Sequence, residues 1–211
     1  DTEGVFQLES SGMKQVLVGL QPQNLEDVIA LISLYRPGPM DSIPTYLRNR
    51  HEPDKISYKT PQLAHILDVT NGCIVYQEQV MQIFRELAGF SFGQADNVRR
   101  AMSKKKHAVM EAEREHFVHG CTEPGHECPG CVANGISEKV ANEIYDEMSS
   151  FASYAFNKSH AACYAYVAFQ TAYLKCHYPS EFMAALLTSV LDNTDKVIEY
   201  SGECARLGIK V

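Results

Sequence analysis

The chain has 211 residues, a length that suits one domain or one large subdomain, and 45% of them are hydrophobic, which can supply a core. Its longest apolar run is shorter than the ~20 residues that cross a bilayer, and no signal peptide is present, so we expect a soluble cytoplasmic protein. The net charge of −7 disfavours general coating of nucleic acid, because contacts with phosphates need cations.

Helical periodicity dominates the chain and predicts a mainly α fold. Helices are predicted at 24–35, 76–88, 93–104, 108–118, 137–151, 159–177, 180–191 and 194–207. Asn24, Ser137 and Ser159 stand where helix N-caps accept backbone hydrogen bonds. Short extended segments are predicted at 5–8, 73–75 and 209–211. We therefore expect a multi-helix domain with short extended segments near its ends and a small Cys/His-rich loop.

The clearest element is the helix predicted at 76–88, whose apolar residues recur every three or four positions. Its inward stripe is Val80, Ile83, Phe84, Leu87 and Ala88. Its outward face is Glu78, Gln82, Arg85 and Glu86. The next helix places Ala95, Val98 and Met102 inward. Both patterns indicate helices with one face against a core.

The helix predicted at 93–104 carries a concentrated basic patch in an otherwise acidic chain. Its cations are Arg99, Arg100, Lys104, Lys105 and Lys106. With Ser103 and His107, most of them share one broad helix face, where like charges repel each other. A bound polyanion would offset this repulsion, which favours a local phosphate site. A solvated positive face or a targeting stretch is the alternative.

Two further segments present groups that suit a phosphate. The pentapeptide Phe156-Asn157-Lys158-Ser159-His160 leads into a predicted helix, whose free amides and dipole favour an anion. In 35–40, two prolines and a glycine fix a rigid turn that presents the guanidinium of Arg36. The alternatives are an ordinary capped helix with an exposed lysine and an ordinary helix-ending turn.

The stretch 119–135 has no periodicity and is rich in Gly, Pro, Cys and His. Cys121, His126, Cys128 and Cys131 offer three thiolates and one imidazole, a set that zinc binds tetrahedrally. The sequence therefore predicts a structural zinc ion; free thiols or a regulatory disulfide are the alternatives. The remaining cysteines are Cys73, Cys163, Cys176 and Cys204, which we predict to be buried small hydrophobic residues.

Catalytic carboxylates for nucleotidyl transfer are not predicted in this chain. Two-metal chemistry needs acids that converge on ions about 4 Å apart, and no strand-borne Asp-x-Asp is present. Glu111-x-Glu113-x-Glu115 lies in a predicted helix, where residues two apart point away from each other. We interpret these glutamates as a solvated face.

Six motifs, in order and with matching spacing, resemble the fingers region of the bacterial C-family replicative DNA polymerases, the DNA polymerase III alpha subunits. They are Val5-Phe6-Gln7-Leu8-Glu9-Ser10 with Gly12-Met13-Lys14, Tyr35-Arg36-Pro37-Gly38-Pro39-Met40, Tyr76-Gln77-Glu78-Gln79-Val80-Met81, Ala95-Asp96 with Arg99-Arg100-Ala101-Met102, Lys104-Lys105-Lys106, and 156–160. Ser103 departs from the family, which commonly has glycine there; we expect a stiffer but intact basic site.

The resemblance implies a fingers fragment covering residues 1–211, with 1–20 as a palm-to-fingers junction, from a longer replicative DNA polymerase. It implies three metal-binding aspartates and Mg²⁺ upstream of this chain, so the isolated chain is expected to be inactive. Primer–template DNA, deoxynucleoside triphosphates and a sliding clamp are the implied partners. The implied nucleotide and DNA contacts are Arg36, Arg99, Arg100, Lys104, Lys105, Lys106, Asn157, Lys158, Ser159 and His160. Gln77 and Glu78 either support this site or are surface residues of their helix.

Without the resemblance, the residues also permit a stand-alone helical, zinc-stapled nucleic-acid-binding module without enzymatic activity. A helical interaction scaffold with an incidental basic helix is a third interpretation. Phosphate binding that weakens as salt rises would separate the first two from the scaffold.

Overall fold

The computed structural model describes residues 1–104, 107–152 and 154–211 and divides into two compact units. One unit comprises residues 1–32 and 161–211, and the other comprises 33–160. The described α-helices are α1 (Ser11–Leu20), α2 (Leu25–Leu34), α3 (Ile43–His51), α4 (Ala64–Leu67), α5 (Gln77–Ala88), α6 (Phe92–Ser103), α7 (His107–His119), α8 (Gly130–Ala133), α9 (Glu138–Ala152), α10 (Lys158–His177), α11 (Pro179–Ser189) and α12 (Thr194–Arg206). The predicted mainly α fold is confirmed.

Helix α5 is the centre of the core of the 33–160 unit. The five predicted inward residues are all buried, with an exposed fraction of 0% each. The Phe84 ring contacts Phe90, Phe117 and Tyr145, at centroid distances of 5.2, 5.0 and 6.0 Å. The Tyr145 hydroxyl donates to the carbonyl of Met110 at 2.6 Å, so this buried polar atom keeps a partner. Burying each such aromatic side chain contributes about 1.5–3 kcal/mol.

An isolated parallel β-bridge joins Tyr76 to Phe156, residues distant in the sequence. The amide of Gln77 donates to the Phe156 carbonyl at 2.9 Å, and the Phe156 amide donates to the Val75 carbonyl at 3.3 Å. Because α5 begins at Gln77 and α10 begins at Lys158, this bridge sets the N-terminal ends of two helices side by side.

The unit formed by 1–32 and 161–211 has a smaller core and a buried ionic network. Lys175 donates to Glu203 at 2.7 Å, to Asp1 at 3.0 Å and to the carbonyl of Glu3 at 2.6 Å. Arg206 grips the Glu203 carboxylate with two nitrogens, at 2.7 and 2.6 Å. Hydrogen bonds from Arg206 and Lys175 lower the pKa of Glu203 to about 2.

Helix caps show where local patterns predict well and where they fail. The side chain of Asn24 accepts from the Asp27 amide at 3.0 Å, which confirms the predicted cap of α2. The predicted cap Ser137 accepts from the amide of residue 140 at 3.4 Å. The predicted cap Ser159 is wrong: α10 begins one residue earlier, and Asn157 accepts from the His160 amide at 2.9 Å.

Several predicted local features differ in the structure. Residues 5–8 form a turn and not an extended segment, because the Leu8 amide donates to the Val5 carbonyl at 3.1 Å and Gln7 has a φ of 64°. Helices α1 and α3 were not predicted; α1 contains two glycines and α3 has a proline in its first turn. Cys163 and Cys176 are exposed on α10, so the prediction that they are buried is wrong; Cys73 and Cys204 are buried.

No helix in the described part of the chain combines the length and apolar character needed to span a membrane.

Candidate functional site

The β-bridge positions a cavity of about 530 Å³ in the 33–160 unit. Its walls come from one side of α5, from α6 and from the start of α10. The lining residues are Gln77, Glu78, Met81, Gln82, Arg85, Phe92, Asp96, Arg99, Asn157 and Lys158. Three predicted site residues, Arg99, Asn157 and Lys158, therefore meet at one cavity although they lie far apart in the sequence.

Arg99 is the most firmly held cation of this cavity. Its guanidinium donates to Asp96 at 2.7 and 2.9 Å and to the side-chain oxygen of Gln77 at 2.9 Å. Gln77 in turn donates to the carbonyl of Ala155 at 3.0 Å, so the position of Arg99 is tied to the segment before α10. The hydrogen bond from Arg99 lowers the pKa of Asp96, and this carboxylate therefore stays charged.

The other described cations of the basic patch are more exposed than Arg99. Arg100 bonds Asp96 at 2.7 Å, but its side chain is 65% exposed. Lys104 is exposed and caps the C-terminus of α6. Lys105 and Lys106 lie outside the described residues. In the described part of the patch, Arg99 is fixed by hydrogen bonds, whereas Arg100 and Lys104 are exposed.

The start of α10 is an anion-binding arrangement that a carboxylate of the same chain already uses. The backbone amide of Lys158 donates to both oxygens of Glu78, at 3.2 and 3.1 Å. The side-chain amide of Asn157 donates to the same carboxylate at 2.8 Å. The ammonium of Lys158 lies 5.3 Å from the ring centroid of Tyr76, within range of a cation–π interaction.

Ser159 and His160 lie in the exposed first turn of α10. The His160 ring packs edge-on against Phe156, with centroids 5.3 Å apart. Their position next to Lys158 agrees with the predicted grouping of 156–160 at one helix end.

Arg36 supports the segment before α10 from the other side. Its guanidinium lies 4.0 Å from the ring centroid of Phe156, and it donates to the carbonyls of Tyr154 at 2.8 Å and Ser33 at 3.0 Å. Burial lowers the pKa of Arg36 from its ordinary value. The turn after it depends on Gly38, because an added Cβ there would lie 2.3 Å from the Tyr154 ring and its φ is 104°. In this arrangement Arg36 holds Phe156 and the backbone beside it.

The sequence interpretation left Glu78 as either a support of the site or a surface residue, and it did not identify Asp96 as a site partner. In the structure, these two carboxylates face Arg85, Arg99 and Lys158 around the cavity, which leaves an excess of one positive charge among its lining residues. One feature of the sequence does point to Glu78: it lies in the first turn of α5, where the helix dipole stabilises a carboxylate. The pairing of 76 with 156 has no local signal.

The Cys/His-rich stretch folds without converging its four predicted ligands. Cys121 and Cys128 exchange backbone hydrogen bonds of 2.9 Å, and Cys131 is fully buried. Burial raises the pKa of the Cys131 thiol to about 12. Within the described residues, three metal-capable side chains with ligand atoms inside 4.8 Å of one another occur at Glu3, Glu9 and Glu199.

This geometry does not fit a tetrahedral zinc ion, and the zinc site stays a prediction from sequence alone. Close backbone packing holds the stretch instead. A Cβ on Gly130 would lie 2.3 Å from the amide nitrogen of Gly120, and a Cβ on Gly120 would lie 2.5 Å from the carbonyl of Pro129. Both glycines have positive φ, so the two loop ends approach where only glycine fits.

The Glu111–Glu115 stretch of α7 does not assemble a pair of carboxylates. Glu111 and Glu115 are 73% and 72% exposed, as expected for a solvated face. Glu113 is half-buried and lies 3.4 Å from His116.

Comparison with known proteins agrees with the motifs. The family model described as the bacterial DNA polymerase III alpha subunit finger domain matches residues 1–125. The chain is 50% identical over 216 residues to a DNA polymerase III subunit alpha of Thermus aquaticus, covering 100% of this chain and 17% of that protein. Proteins of the same name from Bacillus subtilis (strain 168) and Pasteurella multocida (strain Pm70) are each 47% identical over the whole chain, which covers 18% of each.

The chain thus spans less than a fifth of the length of the relatives that it matches. The family model covers the segment that contains α5 and α6, and the relatives extend the match through the start of α10. Together with the mainly α fold, these matches show that the chain belongs to the finger-domain family of the bacterial DNA polymerase III alpha subunits.

Proposed function

We propose that this chain is the part of a DNA-directed DNA polymerase that binds the triphosphate of the incoming deoxynucleotide and the end of the template strand during chromosomal replication. The observation that supports this most is the meeting of Arg99 and Lys158 at one cavity beside the N-terminus of α10. Arg99 and Lys158 each belong to a motif by which the chain resembles its family.

The chemistry asked of this site is electrostatic. A triphosphate carries several negative charges, and more charge develops on the leaving pyrophosphate during nucleotidyl transfer. Cations and helix-end amides that are already in place stabilise that charge without reorganising at the moment of reaction. The hydrogen bonds from Arg99 to Asp96 and Gln77 supply such preorganisation.

The predicted residues then divide into two roles. Arg99, Asn157 and Lys158 line the cavity and are assigned to the triphosphate. Arg100 and Lys104 are exposed on the continuation of α6 and are assigned, with Lys105 and Lys106, to the phosphates of the template backbone.

The remaining predicted residues support this assignment. Ser159 and His160 lie in the first turn of α10, directly after Lys158, and are assigned to the same triphosphate. Arg36 acts as a positioning residue, since its contacts are with Phe156 and nearby carbonyls.

The catalytic carboxylates and their Mg²⁺ ions are proposed to lie outside this chain, in a full-length protein that also binds primer–template DNA and a sliding clamp. Mg²⁺ would supply charge neutralisation and activation of the primer hydroxyl. This chain alone is therefore expected not to extend a primer.

The test is steady-state primer extension by the full-length protein that contains these residues, with Lys158→Glu. Charged hydrogen bonds contribute about 1.5–3 kcal/mol, so removing and reversing this charge is expected to raise the KM for nucleotide by about 10- to 100-fold. The matched control is Lys139→Glu, because this lysine is 87% exposed on α9 of the same unit.

Nucleotide kinetics that are equal in the two lysine variants would overturn the proposed site. Binding of nucleotide by the wild-type protein should also weaken as salt rises, since the contact is ionic. Affinity that does not depend on salt would contradict a triphosphate held by cations.

A further inference from the structure

The start of α10 binds an anion of the chain itself, the carboxylate of Glu78. The Lys158 amide and the Asn157 side chain donate to the carboxylate of Glu78 at 2.8–3.2 Å. A phosphate group offers the same acceptors: two oxygens on one centre that bears negative charge. Glu78 thus occupies the position that the proposed function gives to a phosphate.

Glu78 is also well held in this position. It stands in the first turn of α5, and its carboxylate reaches the first residue of α10. Because both helix N-termini carry partial positive charge, both favour the carboxylate. The bridge between Tyr76 and Phe156 fixes the two helix ends next to each other and keeps Glu78 within reach.

We propose that Glu78 is a built-in competitor for the triphosphate: a nucleotide binds only by displacing this carboxylate from the start of α10. Glu78 therefore sets the nucleotide affinity and weakens it. This inference rests on the proposed function, since it assigns a role to one more residue of the same cavity.

The charge of Glu78 changes the electrostatic balance of the cavity. Among the lining residues, Arg85, Arg99 and Lys158 are cations and Glu78 and Asp96 are anions, so the excess positive charge is one. Neutralising Glu78 raises that excess to two, which favours an anionic ligand. Asp96 has a different role, because its carboxylate bonds the side chains of Arg99 and Arg100.

The variant that isolates this effect is Glu78→Gln. Its amide oxygen can still accept from Lys158 and Asn157, so the local fold is kept while the charge is removed. Removing one like charge within a few ångströms of the bound phosphate is expected to tighten nucleotide binding by about tenfold. Interactions lost equally from the ground state and the transition state change KM and leave kcat unaltered.

The matched control is Glu86→Gln, on the same helix. Glu86 pairs with His65 and lies outside the cavity lining. Eight residues along an α-helix correspond to about 12 Å, which exceeds the Debye length of about 8 Å at physiological ionic strength. This control removes the same charge from α5 without touching the start of α10, so it should leave KM unchanged.

The experiment is primer extension by the full-length protein with deoxyadenosine triphosphate as the varied nucleotide, together with the melting temperature of each variant. A KM about tenfold lower in Glu78→Gln, with kcat unchanged and Glu86→Gln like wild type, supports the inference. An equal or higher KM in Glu78→Gln overturns it and would make Glu78 a structural support of α10.

The Lys158→Glu variant distinguishes failure of the proposed function from failure of the competitor role of Glu78. If this variant raises KM while Glu78→Gln does not lower it, the proposed function stands and the competitor role is wrong. If neither variant changes the kinetics, both proposals are wrong.

Discussion

Two lysines of helix α10 show opposite uses of the same side chain. Lys175 is 7% exposed, and its ammonium is enclosed by Glu203, Asp1 and the carbonyl of Glu3. Lys158 is half-buried at the helix start, over the ring of Tyr76 and beside an open cavity. The first lysine has all of its donors used within the fold, whereas the second stands where a ligand can reach it.

The difference lies in what surrounds each charge. A buried ammonium needs anions that stay in place, because water cannot replace them. At the cavity, the Glu78 carboxylate bonds the amides at the start of α10 that we assign to a phosphate, so we propose that an external anion exchanges for it. We therefore interpret a network of charged groups that is enclosed by the fold as structural, and one whose anion can be exchanged as a binding site.

Replacing each lysine with methionine tests this comparison and has the largest expected effect on stability. Lys175→Met leaves the buried carboxylate of Glu203 with Arg206 alone. Removing one partner of a buried pair costs about 3–5 kcal/mol, and because Arg206 remains, we expect about 3 kcal/mol of lost unfolding free energy. Lys158→Met is expected to change stability by less than about 1 kcal/mol, since this side chain is partly solvated.

Urea denaturation followed by circular dichroism measures both effects. The KM for nucleotide should respond in the opposite order: raised by Lys158→Met and unchanged by Lys175→Met at temperatures where both variants are folded. Equal losses of stability at the two positions would show that Lys158 is also structural, and the comparison would fail.

Acid should weaken the network formed by Lys175, Glu203 and Arg206. The pKa of Glu203 is lowered to about 2 from its ordinary value of 4.5, with Arg206 as the largest cause. A carboxylate with a depressed pKa contributes stability above its unfolded pKa, and the contribution disappears as the pH falls from about 4.5 towards 2. We expect wild type to lose stability across this window and Glu203→Gln to lose less.

The measurement is the urea midpoint as a function of pH for the two proteins. Glu203→Gln should be less stable than wild type at pH 7 and approach it near pH 2. Parallel curves down to pH 2 would show that Glu203 titrates normally and that the network does not hold its charge.

How much of this molecule the sequence predicts depends on how local each interaction is. The buried stripe of α5 follows from its period alone, and Val80 and Phe84 are buried as predicted. The exposure of Cys163 and Cys176 was missed, because residue type does not say which side of α10 meets solvent. Local pattern therefore predicts the faces of amphipathic helices and not of α10, whose apolar residues are spread around it.

The candidate site shows the same limit more strongly. Its cations were predicted from charge and motif, but their meeting depends on the bridge between Tyr76 and Phe156, a pairing that no local signal specifies. The outward helix position of Glu78 left open whether it supports the site or is a surface residue, and the neighbouring start of α10 gives it partners. Tertiary pairing, and not propensity, decides which polar residues of an outward face acquire partners from another helix.

The smallest expected effects come from helix caps, one in each unit. Ser91 accepts from the Gln94 amide at 3.3 Å, and the Gln94 side chain accepts from the Ser91 amide at 2.7 Å, which forms a capping box on α6. Asn193 accepts from the Lys196 amide at 3.1 Å at the start of α12. Replacing either cap with alanine is expected to cost about 1 kcal/mol.

Hydrogen exchange locates these losses. Ser91→Ala should speed exchange in the first turn of α6, next to the cavity, and Asn193→Ala should do so in α12, because a cap acts on the amides of its own first turn. Nucleotide should slow exchange again in Ser91→Ala and not in Asn193→Ala, since a ligand held by Arg99 stabilises the helix that carries it. Protection of α12 by nucleotide to the same extent as α6 would show that the binding site is not confined to the cavity of the 33–160 unit.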